Sequence, residues 1–181
     1  SLAQIPVMVR PRIESHHLSS VEIDQQVGAL VAAEAGLYEL DETRLLAARP
    51  DLIIAQNLCD VCAITPLQLE RVVQALSPPP RMLTLSPGRL EDILRDIETI
   101  GTAIGREEAG IQLSAALRRR LTTVRATVGA PAMRPRVACI EWLSPLYTAG
   151  HWVPDMVAAA GGIDVLAQAG TVSRTMDWDT L

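Results

Sequence analysis

The sequence predicts an α/β fold in which helices cover a parallel β-sheet. Short apolar runs alternate with stretches of helical periodicity, and a helix, a strand, a helix and a strand follow one another between residues 41 and 85. The 181 residues are 49% hydrophobic and 20% charged, which is typical of a folded chain and not of a disordered one.

The charge composition excludes several classes of function. The chain carries 16 basic and 21 acidic residues, all of the basic ones arginine, for a net charge of −5. Without lysine it has neither a Walker-type phosphate lysine nor a Schiff-base lysine. Scattered arginines on an acidic chain do not predict binding to nucleic acid, which requires a dense basic face. No apolar run reaches the roughly 18 residues of a transmembrane helix, and no signal-peptide pattern is found.

The opening segment predicts an extended edge and then a helix. Pro11 lacks a backbone donor, which favours the edge of a strand or an extended loop. Ser19 or Ser20 is a typical N-cap, and apolar residues then recur at helical spacing. Residues 20–35 are therefore predicted to form an amphipathic helix that stops at Gly36.

The next segment carries the predicted sheet. Asp41 caps a short helix that ends at Pro50, and the apolar run 51–55 predicts a strand buried on both faces. Pro66 stands at the first position of a second helix, and residues 82–85 form a second strand. This alternation implies that the two strands are parallel.

A long helical stretch follows the sheet. Apolar residues keep one helical face over residues 90–104, Gly105 interrupts the pattern, and a second helix of roughly 35 Å is predicted over residues 106–128. Four arginines in its C-terminal half are interpreted as a solvated helix end, where cations suit the helix dipole: Arg118, Arg119, Arg120 and Arg125.

The last segment predicts little regular structure. Residues 136–141 form a third strand, residues 142–150 a long loop, and a helix begins at His151 and stops at Gly161. One strand and one helix bury too little surface for a separate core. We therefore expect this part either to pack on the first domain or to belong to something longer, and we favour the second.

Aromatic residues give the sharpest functional signal. Three of the five aromatic side chains, Trp142, Tyr147 and Trp152, directly follow the third predicted strand. Ligands of open α/β sheets bind beyond the carboxyl ends of the strands, and rings supply contact area at low entropic cost. These residues predict the wall of a site for a large ligand, unless they are core residues under a loop. His151 either joins that wall or is a surface histidine at a helix start.

A CxxC motif, Cys59 to Cys62, follows the 51–55 strand. Such a motif fits half a zinc site, a redox pair or a local disulfide. A second CxxC is missing, and the motif lies slightly before the helix start that would lower the pKa of a thiol. A structural or cleft-lining role is favoured, and the other roles stay open.

Together these segments resemble the class III substrate-binding proteins of ABC importers, and most closely the cobalamin-binding-like members of the iron-siderophore and cobalamin group. The most specific stretch is LDETRLLAARPDLIIA at residues 40–55, a helix followed by R-P-D-L-I-I. Residues 90–128 resemble the long helical connection between two lobes, and residues 136–165 resemble the opening of the second lobe. The family normally starts before residue 1 and continues past residue 181.

The resemblance implies an α/β, bilobed protein whose parallel-sheet lobes are joined by a long helix, with the N-terminal and C-terminal parts of the fold lacking here. Residues 1–88 would be an incomplete N-terminal lobe, 89–130 the connecting helices and 131–181 the start of the C-terminal lobe. It implies a periplasmic location, or an extracellular and membrane-anchored one, with a cytoplasmic location as the alternative.

The resemblance also implies binding without catalysis, with no catalytic residue, metal site or cofactor. A monomer would hold cobalamin or a related corrinoid in the inter-lobe cleft and deliver it to an ABC transporter permease. The implied ligand contacts are Cys59, Asp60, Cys62 and Arg12 from the first lobe and Trp142, Tyr147, His151 and Trp152 from the second. Glu42 and Asp164 lie near the positions at which family members dock on the permease.

Two alternatives remain. The first is a ferric-siderophore or haem-binding protein of the same fold. The second belongs to another class, a thiol redox or metal-dependent enzyme that uses Cys59 and Cys62.

Overall fold

The computed structural model describes residues 5–57, 64, 66–129 and 133–180, of which residues 66–68 are described in their backbone alone. The chain divides into two compact units, Ser1–Leu85 and Ser86–Leu181.

The first unit combines two small sheets with three helices, as far as the chain is described. Strand β1 (Val9–Pro11) pairs with β2 (Tyr38–Leu40) in antiparallel fashion, and β3 (Leu52–Gln56) pairs with β4 (Arg81–Leu85) in parallel. The helices are α1 (Ser20–Ala32), α2 (Glu42–Ala48) and α3 (Pro66–Ala75), and a short 3-10 turn covers Ser15–His17.

The helix starts of this unit follow the sequence. The Ser19 hydroxyl accepts a hydrogen bond from the Glu22 amide, and the Glu22 carboxylate accepts one from the Ser19 amide at 2.7 Å, which closes a capping box. The Asp41 carboxylate accepts a hydrogen bond from the Arg44 amide at 3.0 Å. Both predicted caps are confirmed.

The parallel pair of β3 and β4 confirms the predicted sheet, because Leu52 lies opposite Arg81 and Gln56 opposite Leu85. The prediction that β3 is buried on both faces is wrong. Ile54 is 43% exposed. Ile54 and Gln56 project from the same face of the sheet and are both exposed, so the described residues leave this face uncovered.

The second unit begins with two helices and continues with short strands. The helices are α4 (Leu90–Ala103), α5 (Glu107–Val128) and α6 (Val153–Ala159). The strands are β5 (Arg136–Val137), β6 (Ile140–Leu143), β7 (Leu146–Thr148) and β8 (Ile163–Asp164), followed by a 3-10 turn at Trp178–Thr180. Strands β5 and β8 pair in parallel, and β6 and β7 form an antiparallel hairpin.

Helices α4 and α5 pack against each other as a helical hairpin. Gly105 lies between them with φ at +70°, which confirms the predicted interruption. A Cβ atom on Gly101 would lie 3.0 Å from the Cα of Gly110, so both helices depend on glycine at their closest approach. Ser114, one turn further along α5, is fully buried.

One of the four arginines of α5 differs from its predicted role. The Arg118 guanidinium donates to Glu98 at 2.6 Å, to Ser114 at 2.8 Å and to Glu91 at 2.9 Å. Arg118 lies four residues after Ser114, on the side of α5 that faces α4, and therefore forms ion pairs between the helices. Arg119 and Arg120 are exposed, as a solvated helix end requires.

The segment after Pro135 is richer in strands than predicted. The predicted 136–141 strand is interrupted and contributes to both β5 and β6, and the predicted 142–150 loop is mostly the β6–β7 hairpin. The hairpin turn falls at the Ser144-Pro145 dipeptide. This dipeptide is itself a turn signal, but the prediction of a loop depends on the aromatic residues around it. Helix α6 begins at Val153 and not at His151, because the φ of His151 is +53° and lies outside the helical range.

Within the described ranges, no helix combines the length and the apolar character needed to cross a bilayer.

Candidate functional site

The β6–β7 hairpin places Trp142 beside Tyr147. The two residues are direct partners in the strand register, and cross-strand partners project from the same face. Leu146 and Thr148, which flank Tyr147, project to the opposite face and are 2% and 1% exposed. Trp142 and Tyr147 are half-buried on their own face, and the Trp142 indole N–H donates to the Ser144 carbonyl at 3.0 Å.

His151 and Trp152 follow β7 and form a second pair. Their ring centroids are 5.9 Å apart, and the ring planes are inclined by 37°. The His151 amide donates to the Thr171 carbonyl at 2.6 Å, and the His151 carbonyl accepts from the Gly170 amide at 2.9 Å. These two hydrogen bonds hold His151 in its left-handed conformation, which is uncommon for a residue with a side chain.

The segment from residue 171 to 176 lies alongside β7 and the residues after it, with an antiparallel bridge between Tyr147 and Thr175. The Thr148 amide donates to the Arg174 carbonyl, and the Met176 amide donates to the Leu146 carbonyl. A Cβ atom on Gly150 would lie 2.5 Å from the backbone nitrogen of Ser173. Only glycine fits at this crossing, so Gly150 fixes the path of the chain into His151 and Trp152.

We call Trp142, Tyr147, His151 and Trp152 the aromatic corner. The structure places these four predicted residues as two pairs on consecutive elements, β6–β7 and the turn before α6. All four are half-buried. They are less covered than Leu146 on the opposite face of β7, which is 2% exposed.

An ion pair that the sequence did not reveal lies at the start of α4. The Arg89 guanidinium donates from Nε to Asp155 Oδ2 at 2.8 Å and from Nη2 to Asp155 Oδ1 at 2.7 Å, and the Leu90 amide donates to Oδ2 at 3.1 Å. The hydrogen bonds from Arg89 hold the pKa of Asp155 below its usual value, although burial acts in the opposite direction. Asp155 belongs to α6, three residues after Trp152.

Residues of α4, α5 and α6 line a cavity of about 480 Å³ that carries both acidic and basic side chains. Of the four arginines that line it, Arg89 pairs with Asp155, Arg95 with Asp92, and Arg118 with Glu91 and Glu98, whereas Arg125 forms no ion pair among the described residues. The positive charges are largely balanced by these carboxylates, so the cavity does not favour a strongly anionic ligand.

The remaining predicted site residues lie on other elements of the two units. Arg12 is exposed just after β1, and its amide donates to the Leu37 carbonyl at 2.9 Å. Glu42 is exposed at the start of α2. Asp164 of β8 accepts hydrogen bonds from the Leu166 and Ala167 amides. Cys59, Asp60 and Cys62 lie outside the described residues.

Cys139, the cysteine that is described, has the properties of a structural thiol. Burial, with a smaller contribution from the carboxylate of Asp164, raises its pKa. A raised pKa keeps the thiol protonated and weakly nucleophilic.

The comparisons with known proteins agree with this architecture. The sequence profile of a family described as periplasmic binding protein matches residues 37–181. No curated protein sequence matches the chain. Among solved structures, the chain is similar to the periplasmic vitamin B12-binding protein BtuF of Vibrio cholerae, at 21% identity and a TM-score of 0.58 over 78% of this chain and 53% of that one.

Two haem-binding proteins are similar to the same extent. The periplasmic haem-binding protein RhuT of Roseiflexus sp. RS-1 has 24% identity and a TM-score of 0.61 over 77% of this chain and 52% of that one. The haem complex of IsdE from S. aureus has 13% identity and a TM-score of 0.62 over 79% and 54%. The chain thus spans about half the length of these structures.

The similarity confirms the predicted α/β fold of a substrate-binding protein. It also supports the prediction that the chain is not an enzyme, since the family and these neighbours are binding proteins. With its match over residues 37–181, the chain belongs to the periplasmic binding protein family.

Proposed function

We propose that this protein is the substrate-binding component of an ABC importer, and that its aromatic corner contacts a corrinoid such as cobalamin. The observation that carries the proposal is the arrangement of two indoles, a phenol and an imidazole on β6, β7 and the turn before α6. Family membership and the similarity to a vitamin B12-binding protein support it. The family also implies an extracytoplasmic location, where an importer would collect its ligand.

The chemistry of a corrinoid suits this corner. A corrin ring is broad, flat and partly apolar, with amide groups at its rim. Half-buried rings exclude water from such a surface, and a few polar groups fix its orientation. Trp142 and Tyr147 present area from a rigid hairpin, while His151 offers a nitrogen that can donate or accept a hydrogen bond.

Haem is the second candidate, because the corner contains two side chains that bind ferric haem iron in proteins. These are the phenol of Tyr147 and the imidazole of His151. At least four of the similar structures are haem-binding proteins. A corrinoid and a haem share a wide macrocyclic plane, and the same aromatic wall would contact either of them.

A ferric siderophore fits less well. Anionic iron chelates are recognised by cationic side chains that are free to pair with them. Three of the four arginines that line the cavity of the second unit, Arg89, Arg95 and Arg118, are already engaged by carboxylates. The charge arrangement therefore favours an uncharged or weakly charged macrocycle.

The ligand class is tested by titrating the intact protein with cyanocobalamin, hemin and an anionic ferric tris-catecholate siderophore in parallel. The proposal predicts saturable quenching of tryptophan fluorescence and a shift of the visible bands with cyanocobalamin. Saturation by hemin alone would establish the second candidate. Binding of the siderophore alone, or of none of the three, would reject a macrocycle site.

Delivery to a permease is part of the same proposal, with Glu42 and Asp164 as docking residues. Because the Asp164 carboxylate accepts two backbone hydrogen bonds, Asp164→Asn removes its charge while keeping an acceptor oxygen in place. The double variant Glu42→Gln, Asp164→Asn should weaken binding to the reconstituted permease and leave ligand affinity unchanged, with Glu39→Gln as the control. Permease binding equal to that of the wild type would exclude these two residues.

A further inference from the structure

Arg89 connects three parts of the second unit that meet at the aromatic corner. Its guanidinium forms two hydrogen bonds with Asp155 of α6. Its alkyl chain lies against Gly170, where a Cβ atom would come within 3.0 Å of Arg89 Cδ. The Gly170 amide in turn donates to the His151 carbonyl. Arg89 therefore reaches the His151–Trp152 pair from two directions, through α6 and through residue 170.

The geometry of the Arg89–Asp155 pair is suited to fixing an orientation. The two parallel N–H···O bonds form a fork that defines the plane of both groups. The Leu90 amide adds a third donor to the same carboxylate at 3.1 Å, which ties the first turn of α4 to α6. Helix α6 cannot rotate or slide relative to α4 without breaking these three hydrogen bonds to Asp155.

Exposure argues against a role in stability alone. The side chain of Arg89 is 54% exposed and that of Asp155 18%, and a partly exposed ion pair contributes only modestly to the free energy of unfolding. Gly170, whose φ is +86°, has no side chain, and the alkyl chain of Arg89 occupies the space that a side chain there would take. The arrangement controls the position of α6 and of residues 150–152 more than it controls the stability of the fold.

We propose that Arg89 is a positioning residue of the ligand site, which holds His151 and Trp152 in the geometry that the ligand meets. This inference rests on the proposed function, because it assumes that the aromatic corner is where the ligand binds. Arg89 itself does not touch the ligand in this account. It acts through Asp155 and through the backbone at residue 170.

The test uses Arg89→Met in the intact protein. Methionine keeps an unbranched chain against Gly170 but loses both hydrogen bonds to Asp155. The matched control is Arg95→Met, because Arg95 also forms an ion pair in α4, with Asp92, and is similarly exposed at 65%. Asp155→Asn serves as the second variant, since it weakens the fork from the other side and keeps an acceptor for the Leu90 amide.

Two readouts separate positioning from stability. The first is the NMR shift of the His151 imidazole protons in the free protein, which senses the ring current of Trp152 at 5.9 Å, with His16 and His17 as internal references. The second is the affinity for cyanocobalamin and hemin, with the midpoint of urea unfolding measured in parallel for each variant. We expect Arg89→Met and Asp155→Asn to shift the His151 signals and to weaken binding by about three- to thirtyfold, with Arg95→Met like the wild type.

The outcomes distinguish the two proposals. Unchanged His151 signals and affinity in both Arg89→Met and Asp155→Asn would overturn the positioning role. A loss of affinity that Arg95→Met reproduces, or that only tracks the urea midpoint, would overturn it as well. If the His151 signals shift while the wild type binds neither macrocycle, Arg89 still orders the pair, and the proposed function is the part that fails.

Discussion

Gly101 of α4 and Gly110 of α5 approach each other so closely that a Cβ atom on either would crowd the backbone of the opposite helix. A Cβ on Gly101 would lie 3.0 Å from the Cα of Gly110, and a Cβ on Gly110 would lie 3.0 Å from the carbonyl oxygen of Ile97. The obstacles are backbone atoms, which cannot rotate away. The close approach brings Ser114 and Arg118 of α5 within hydrogen-bonding reach of α4.

Gly110→Ala should therefore destabilise the second unit by about 1–3 kcal/mol, the usual cost of overpacking. The cost arises although alanine has the higher helix propensity. Gly28→Ala is the matched control, because Gly28 lies in α1 and a Cβ atom there would meet nothing within 4 Å. The control should be neutral or more stable by up to about 1 kcal/mol. Equal effects in urea unfolding would contradict the close packing of α4 on α5.

Arg118→Met should lower the urea midpoint more than Arg119→Met. Arg118 bridges Glu91 and Glu98, and the hydrogen bonds from Arg118 and Ser114 hold the pKa of Glu98 below its usual value. Removing the guanidinium leaves two acids of α4 without their shared cation. Arg119, the next residue of α5, is exposed and serves as the control. Equal midpoints for the two variants would argue against the cross-helix ion pairs.

Gly150→Ala should disturb both the fold of the second unit and the aromatic corner. The new methyl group would meet the Ser173 nitrogen at 2.5 Å and the Thr171 carbonyl oxygen at 2.7 Å. Relieving this overlap requires the 171–173 segment to move, which breaks the hydrogen bond between the His151 amide and the Thr171 carbonyl. We expect a loss of about 2–3 kcal/mol in thermal or urea unfolding, with changed near-UV circular dichroism from Trp152. A wild-type spectrum and wild-type stability would refute the close contact between Gly150 and the 171–173 segment.

The Asp155 contribution should fade in acid. Because its pKa is lowered in the folded state, the stability it provides is present above the usual aspartate value of about 3.9 and is lost as the pH falls through the folded value. The difference in unfolding free energy between the wild type and Asp155→Asn should be about 1 kcal/mol and constant from pH 7 to 5. It should shrink below pH 4. A difference that stays constant into strong acid would show that Asp155 is not held as a carboxylate.

Local signals made much of the fold predictable. Ser19 and Asp41 carry the information for a helix start within a few residues, and both caps form. The 51–55 run is apolar and short, and it becomes strand β3. The predicted interruption at Gly105 follows from the same kind of local evidence.

The rest depends on contacts between residues far apart in sequence. Arg89 and Asp155 are 66 positions apart, and neither stands in a motif that announces its partner. Arg118 resembles its arginine neighbours because the sequence does not show which of them faces α4. The aromatic residues stand out in the sequence and favour the interpretation of residues 142–150 as a loop, so the turn at Pro145 is missed. Without that turn, the pairing of Trp142 with Tyr147 cannot be predicted.

The most direct test of the central claim compares cyanocobalamin binding by the intact wild type with that of three tryptophan variants. Trp142→Ala and Trp152→Ala each remove an indole from the aromatic corner, whereas Trp178→Ala removes one that is 55% exposed outside it. We expect about a tenfold or greater loss of affinity for each corner variant, the effect of losing an aromatic anchor, and wild-type affinity for Trp178→Ala. Wild-type affinity in both corner variants, or an equal loss in all three, would contradict it.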